Sequence, residues 1–191
     1  MENTYVELQE IPVLRVKADM KGKGPSAAFS LLESKLPTIK GRKFYGTFQP
    51  TPDGEDYYAC VARIDSDDPG KMQLETGVIP GGWYARSKLM DWEKNLSKLP
   101  SLFEEMARAH DVDPKRPSLE FYRSQGEMHL FLPCEVIPRS KQDRQHSITA
   151  KKELGYRPSS HSDVVLSNLS PIFVQKSWPK YCTTSDRNSG I

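Results

Sequence analysis

Residues 117–133, PSLEFYRSQGEMHLFLP, constrain the chain more than any other stretch. Two runs suited to extended backbone, 118–123 and 127–132, flank Ser124, Gln125 and Gly126, so the pattern predicts a β-hairpin. The period of two puts Leu119 and Phe121 on one face of the sheet and Glu120 and Tyr122 on the other. A carboxylate and a phenol therefore stand side by side. A solvated face is the ordinary explanation of such an acid, and the remainder of the chain decides whether another is needed.

Upstream, residues 5–17 read as a strand, with Pro12 marking a bend or an edge. KGKGP at 21–25 is a loop. Pro25 and Ser26 open a helix in which Ala28, Phe29, Leu32 and Leu36 form one stripe, and Pro37 closes it. Residues 43–49 and 57–64 are extended, with the turn cluster PTPDGED between them. The pattern then recurs. Residues 72–78 and 83–89 are extended, and 92–109 carry a helical period through Leu96, Leu99, Phe103 and Met106. Pro100 either kinks that helix or belongs to the first turn of a second segment. A loop at 110–117 leads into the hairpin.

Each half thus reads β-α-β-β. Ile11-Pro12 precedes one strand as Ile79-Pro80 precedes another, Phe44-Tyr45-Gly46 aligns with Phe121-Tyr122-Arg123, and 57–64 aligns with 127–134. Duplication and chance similarity both fit matches of two or three residues. Duplication predicts an α+β fold: two β-α-β-β units forming a curved antiparallel sheet, two helices on one face, and a central groove on the free concave face about a pseudo-two-fold axis.

Composition excludes several functions. The 191 residues suffice for one domain with a real core. A formal net charge of +2 gives no electrostatic case for nucleic acid or an anionic membrane as partner, and no apolar run reaches membrane-spanning length. The acidic start, MENTYVELQE, is unlike a signal peptide. Cys60, Cys134 and Cys182 are odd in number and widely spaced, which suits a reducing, cytoplasmic setting, with Cys60 and Cys134 as small core residues. His110, His129, His146 and His161 have no metal-ligand spacing, no G-x-S-x-G element is present, and KGKGPS is not a phosphate loop. No metal or cofactor is expected. From residue 135 on, nine Lys/Arg face five Asp/Glu, against 18 and 20 before it. The expected division is a folded domain over 1–138 and a polar, largely disordered tail over 139–191.

The order β-α-β-β twice, the element GGWYARSK before the second helix, and the closing SLEFYR and GEMHLFLP resemble, over about residues 5–134, the GyrI-like small-molecule-binding domain. That is the fold of the DNA gyrase inhibitor and of the effector-binding domains of AraC-type and multidrug-sensing regulators. No helix-turn-helix segment precedes Tyr5, so the resemblance implies a stand-alone domain. It also implies a ligand groove floored by a glutamate on the penultimate strand and ringed by aromatics. Glu120 matches that glutamate. Tyr122, Tyr45 as its repeat mate, Trp83 and one of Tyr57 and Tyr58 are lining residues, with Tyr58 preferred; Trp83 has core packing as an equal alternative. Lys43 is the repeat mate of Glu120. The expected ligand is a small aromatic or cationic molecule, held by stacking, cation–π attraction and charge neutralisation. Two alternatives follow from the same family. One is a hydrolase of cyclopropane-bearing genotoxins with Glu120 as general base. The other is a protein partner such as gyrase, met by acidic surface from Glu7, Glu10, Asp65, Asp67 and Asp68.

Overall fold

The computed structural model describes residues 4–135; the expected tail at 139–191, with Cys182, His146 and His161, lies outside them. The described chain is an α+β fold. One antiparallel sheet holds β1 (Thr4–Leu8), β2 (Ile11–Lys17), β3 (Phe44–Thr51), β4 (Gly54–Ala62), β5 (Glu75–Ile79), β6 (Gly82–Met90), β7 (Ser118–Tyr122) and β8 (Glu127–Pro133), in the order β1-β6-β8-β7-β3-β4-β2-β5. Helix α1 (Gly24–Lys35) packs on β2 and β4. A four-residue helix α2 (Pro69–Met72) precedes β5. Helix α3 (Trp92–Asn95) packs on β6 and passes through a 3-10 turn, Leu96–Lys98, into α4 (Leu99–Ala109), which packs on β8. Pro100 sits in the first turn of α4, where its missing N–H removes no helical hydrogen bond.

The run read as a single strand over 5–17 is broken at Gln9-Glu10. β1 then joins β6 and β2 joins β4 and β5, so the two pieces serve opposite halves of the sheet. This break curls the sheet. β1 and β2 stand six positions apart in strand order, about 29 Å in a flat sheet. A two-residue link spans about 11 Å at most. The Pro80-Gly81 link between β5 and β6 imposes the same closure from the other side. Only a sheet rolled into a half-barrel satisfies both links.

The register makes the duplication concrete. Thr4↔Arg86 and Leu8↔Gly82 repeat as Glu75↔Arg15 and Ile79↔Ile11, a shift of 71 residues. Val13↔Ala62 repeats as Tyr84↔Pro133 at the same shift. β3 and β7 correspond at a shift of 74: Tyr45↔Cys60 repeats as Leu119↔Phe131. Where these two strands pair with each other, Tyr45↔Phe121 and Thr47↔Leu119 exchange under the operation, and Gly46↔Glu120 maps onto itself. The pseudo-two-fold axis passes between Gly46 and Glu120. The alignment of Phe44-Tyr45-Gly46 with Phe121-Tyr122-Arg123 is therefore out of register by three. The mate of Glu120 is Gly46 and not Lys43, and the mate of Tyr45 is Leu119 and not Tyr122.

Two apolar cores result, one per face. The larger joins Phe29 and Leu32 of α1, Trp92 of α3 and Phe103 and Met106 of α4 to Tyr57, Ala59, Val61, Ala85, Tyr122, Met128 and Leu130. The smaller fills the other face with Val13, Tyr45, Cys60, Ile79, Tyr84, Leu119 and Phe131. Cys60 and Cys134 are free and buried, and burial pushes the Cys60 thiol up to about 12.

Candidate functional site

Glu120 leaves β7 toward the helix-covered face and is 3% exposed. Tyr122 follows it on the same face two residues on. Tyr57 reaches it from β4, two strands away, by lying across β3 at Gly46. That crossing needs glycine. A Cβ on Gly46 would stand 2.0 Å from the Tyr57 hydroxyl and 2.8 Å from Glu120 Oε2. Both phenols donate to the same carboxylate oxygen, Oε2, at 2.7 Å each, and lie 3.4 Å from one another. Oε1 accepts no hydrogen bond among the described residues. The rings beside the group come from two helices of the one covered face. Phe29 of α1 meets Tyr122 edge to face at 5.1 Å, and Trp92 of α3 meets it at 5.2 Å.

Burial sets the electrostatics. It raises the Glu120 carboxyl above its ordinary value, while the hydrogen bonds from Tyr122 and Tyr57 hold it down. The two phenols are pushed well above theirs, first by burial and next by the neighbouring carboxylate, so both remain donors at neutral pH. A carboxylate this deep is costly unless it is paired and hydrogen-bonded. Here one oxygen is satisfied twice and the other is left open. The arrangement can accept one more donor, or face one positive charge, at Oε1.

The other expected residues divide between the faces. Trp83 is half-buried on β6, on the helix-covered face by alternation with Ala85 and Leu89, and two strands from β7. Tyr45 lies on the opposite face, stacked on Phe121 at 4.9 Å. Tyr58 is also on that face, under the guanidinium of Arg15 at 4.4 Å. Of the adjacent tyrosines, it is Tyr57 that meets Glu120. The groove expected on the free face is thus not where Glu120 points. Asp67, expected on an acidic surface, is 6% exposed and paired with Arg42 at 2.6 Å, and Asp68 caps α2 by accepting from the Lys71 amide.

Two arginines were not anticipated. Arg42 and Arg116 are mates at the shift of 74, each two residues ahead of its strand. Arg42 bonds Asp67 and the Ala62 carbonyl; Arg116 bonds Asp113 and the carbonyls of Gly81, Trp83 and Cys134. Arg42 fastens the end of β4, which carries Tyr57, and Arg116 fastens the start of β6 to the end of β8. Among the described residues no His, Cys, Asp and Glu group could hold a metal ion, and no helix is long and apolar enough to cross a membrane.

No protein-family model and no curated protein matches the chain in sequence. Solved structures resemble it in backbone. SAV2435, determined bound to tetraphenylphosphonium, has a TM-score of 0.53 at 12% identity, over 77% of this chain and 99% of that one. A putative bacterial transcription regulation protein from Staphylococcus aureus MU50 gives 0.49 at 13% identity, over 70% and 97%. An integron cassette protein from the mobile metagenome of Vibrio cholerae gives 0.48 at 15% identity, over 69% and 94%. At 12% identity the likeness to SAV2435 is one of fold alone.

Proposed function

We propose that the chain binds a small organic cation with an aromatic body, and that Glu120 is its charge partner. The observation that carries this reading is the open oxygen of a buried carboxylate: Oε1 of Glu120, on the pseudo-two-fold axis, with both neighbouring donors spent on Oε2. In a medium of low polarity a cation beside that oxygen gains far more than it would in water. Phe29, Trp92 and Tyr122 make the surroundings of the carboxylate aromatic, and aromatic surroundings favour a cation over a neutral molecule. Glu120 as a whole is 3% exposed, yet its unpartnered Oε1 is not among the fully buried atoms, so this oxygen keeps a narrow contact with solvent. The fold likeness to a protein determined with tetraphenylphosphonium supports the choice of ligand class. The resemblance to GyrI-like domains points the same way.

Titration with tetraphenylphosphonium, followed by tryptophan fluorescence, tests the reading. Binding is expected, and Glu120→Gln is expected to weaken it by about 1–3 kcal/mol, the range for losing a charge-assisted contact. Triphenylphosphine oxide, a neutral aromatic of comparable shape, should discriminate little between the two proteins. Equal affinity of both proteins for the cation would refute the assignment of Glu120.

A further inference from the structure

The opposite face of the sheet carries a cavity of about 300 Å³, with a charge opposite to that of Glu120. Its floor is aromatic: Tyr45 stacked on Phe121 at 4.9 Å, with Phe131 beside them. Val6, Leu8 and Ile11 close one wall, because the curl brings β1 round to the start of β2. The rim is basic: Lys43, Arg86 and Arg123, with His129 between the rings of Phe121 and Phe131.

Strand alternation built this rim. Lys43 continues the face of Tyr45, Arg123 that of Phe121, Arg86 that of Tyr84, and His129 that of Phe131. Continuing the β3–β7 register one step past Phe44↔Tyr122 sets Lys43 opposite Arg123. Like charges facing each other across strands are unfavourable. Lys43 makes no ion pair among the described residues. The nearby carboxylate, Glu127, is already engaged by His129 at 2.7 Å, Arg123 at 3.5 Å and Lys88 at 3.7 Å. Three cations thus surround an aromatic floor with one shared acid at the edge.

We propose that this cavity is a separate binding site for a small organic anion, a flat apolar body bearing a carboxylate, sulfonate or phosphate. The rings of Tyr45, Phe121 and Phe131 take the body, and Lys43, Arg86 and Arg123 take the charge. The volume stands at the lower end of the range for small-ligand pockets. The site does not depend on Glu120, which points to the other face.

The test uses the full chain and 8-anilino-1-naphthalenesulfonate as probe, read by its fluorescence, with tetraphenylphosphonium as the opposite-charge control. The probe should bind, more weakly as salt rises. Lys43→Gln/Arg123→Gln should weaken it at least tenfold at an unchanged melting temperature, and leave tetraphenylphosphonium unaffected. Arg86→Gln should act in the same direction, and Glu120→Gln should leave the probe's affinity unchanged. No binding by the full chain, affinity unmoved in both rim variants, or displacement of the probe by tetraphenylphosphonium would each overturn the proposal.

Discussion

The two halves of the molecule share a backbone and differ in what they bring to the axis. At the self-paired position one repeat supplies Glu120 and the other Gly46, charge from one side and room from the other. Tyr57 has Met128 as its mate, and Tyr122 has Phe48, so each half contributes one phenol and one apolar side chain. A symmetric fold has produced an asymmetric carboxylate group. The lesson is that the register of a duplication, and not the likeness of its side chains, locates the special pair.

The largest effect should come from the paired arginines. Arg42 and Asp67 are both nearly inaccessible, with side chains 3% and 2% exposed, whereas Arg116 and Asp113 are 16% and 19% exposed. Urea unfolding of Arg42→Met should show a loss of about 3–5 kcal/mol, since it strands a buried carboxylate. Arg116→Met should lose roughly 1–3 kcal/mol, mostly through carbonyls deprived of a donor. Equal losses would mean that the two repeats lean on their arginines alike.

Gly46→Ala comes next. Its new methyl meets the Tyr57 hydroxyl and Glu120 Oε2 at sub-contact distances, and overpacking of this kind costs roughly 2–3 kcal/mol. Adding Tyr57→Phe removes the nearest clashing atom, so the double variant should recover part of the loss. A double variant that is the plain sum of its parts would show that Tyr57 does not cross Gly46.

Tyr57→Phe alone should cost about 1.5 kcal/mol, the lower range for a hydrogen bond to a charged group. Met128→Leu, at the mate position, should cost under about 1.5 kcal/mol as a near-isosteric swap. The further prediction for Tyr57→Phe is a carboxyl titration at Glu120 displaced upward, because one of the two donors holding it down is gone.

The smallest effect is on pH dependence. The Glu120 carboxyl is raised in the folded protein, so the proton is held more tightly there than in the unfolded chain. Its contribution to stability is complete below the ordinary carboxyl value, about 4.3, and is lost as pH rises through the higher folded value. Glu120→Gln lacks this contribution. The difference in unfolding free energy between the two proteins should drift in favour of the variant over that interval, and a flat difference would mean that the carboxyl is unperturbed.

Much of the sheet was legible because period-two alternation survives in the strands. The hairpin, the shared face of Glu120 and Tyr122, and the apolar stripe of α1 are all local patterns. Alternation says which side chains share a face, and not which face the helices cover, so the sequence pattern does not show that Glu120 and Tyr122 point toward the helices. The division of 5–17 rests on Gln9-Glu10, a dipeptide with no turn chemistry, and is imposed by pairing with distant strands. Phe-Tyr pairs that look alike suggest one alignment of the repeat, while the true mates, Gly46 and Glu120, look nothing alike because they share one space. Arg42 and Arg116 carry a signal only once the shift of 74 is known.

The most direct test is a carbon-13 titration of the Glu120 carboxyl, assigned with Glu120→Gln, without and with saturating tetraphenylphosphonium. The midpoint should lie above the ordinary carboxyl range in the free protein and fall markedly when the cation is bound, since an adjacent positive charge favours the ionised form. A midpoint that the bound cation leaves where it was would contradict the claim that this carboxylate is the ligand's partner.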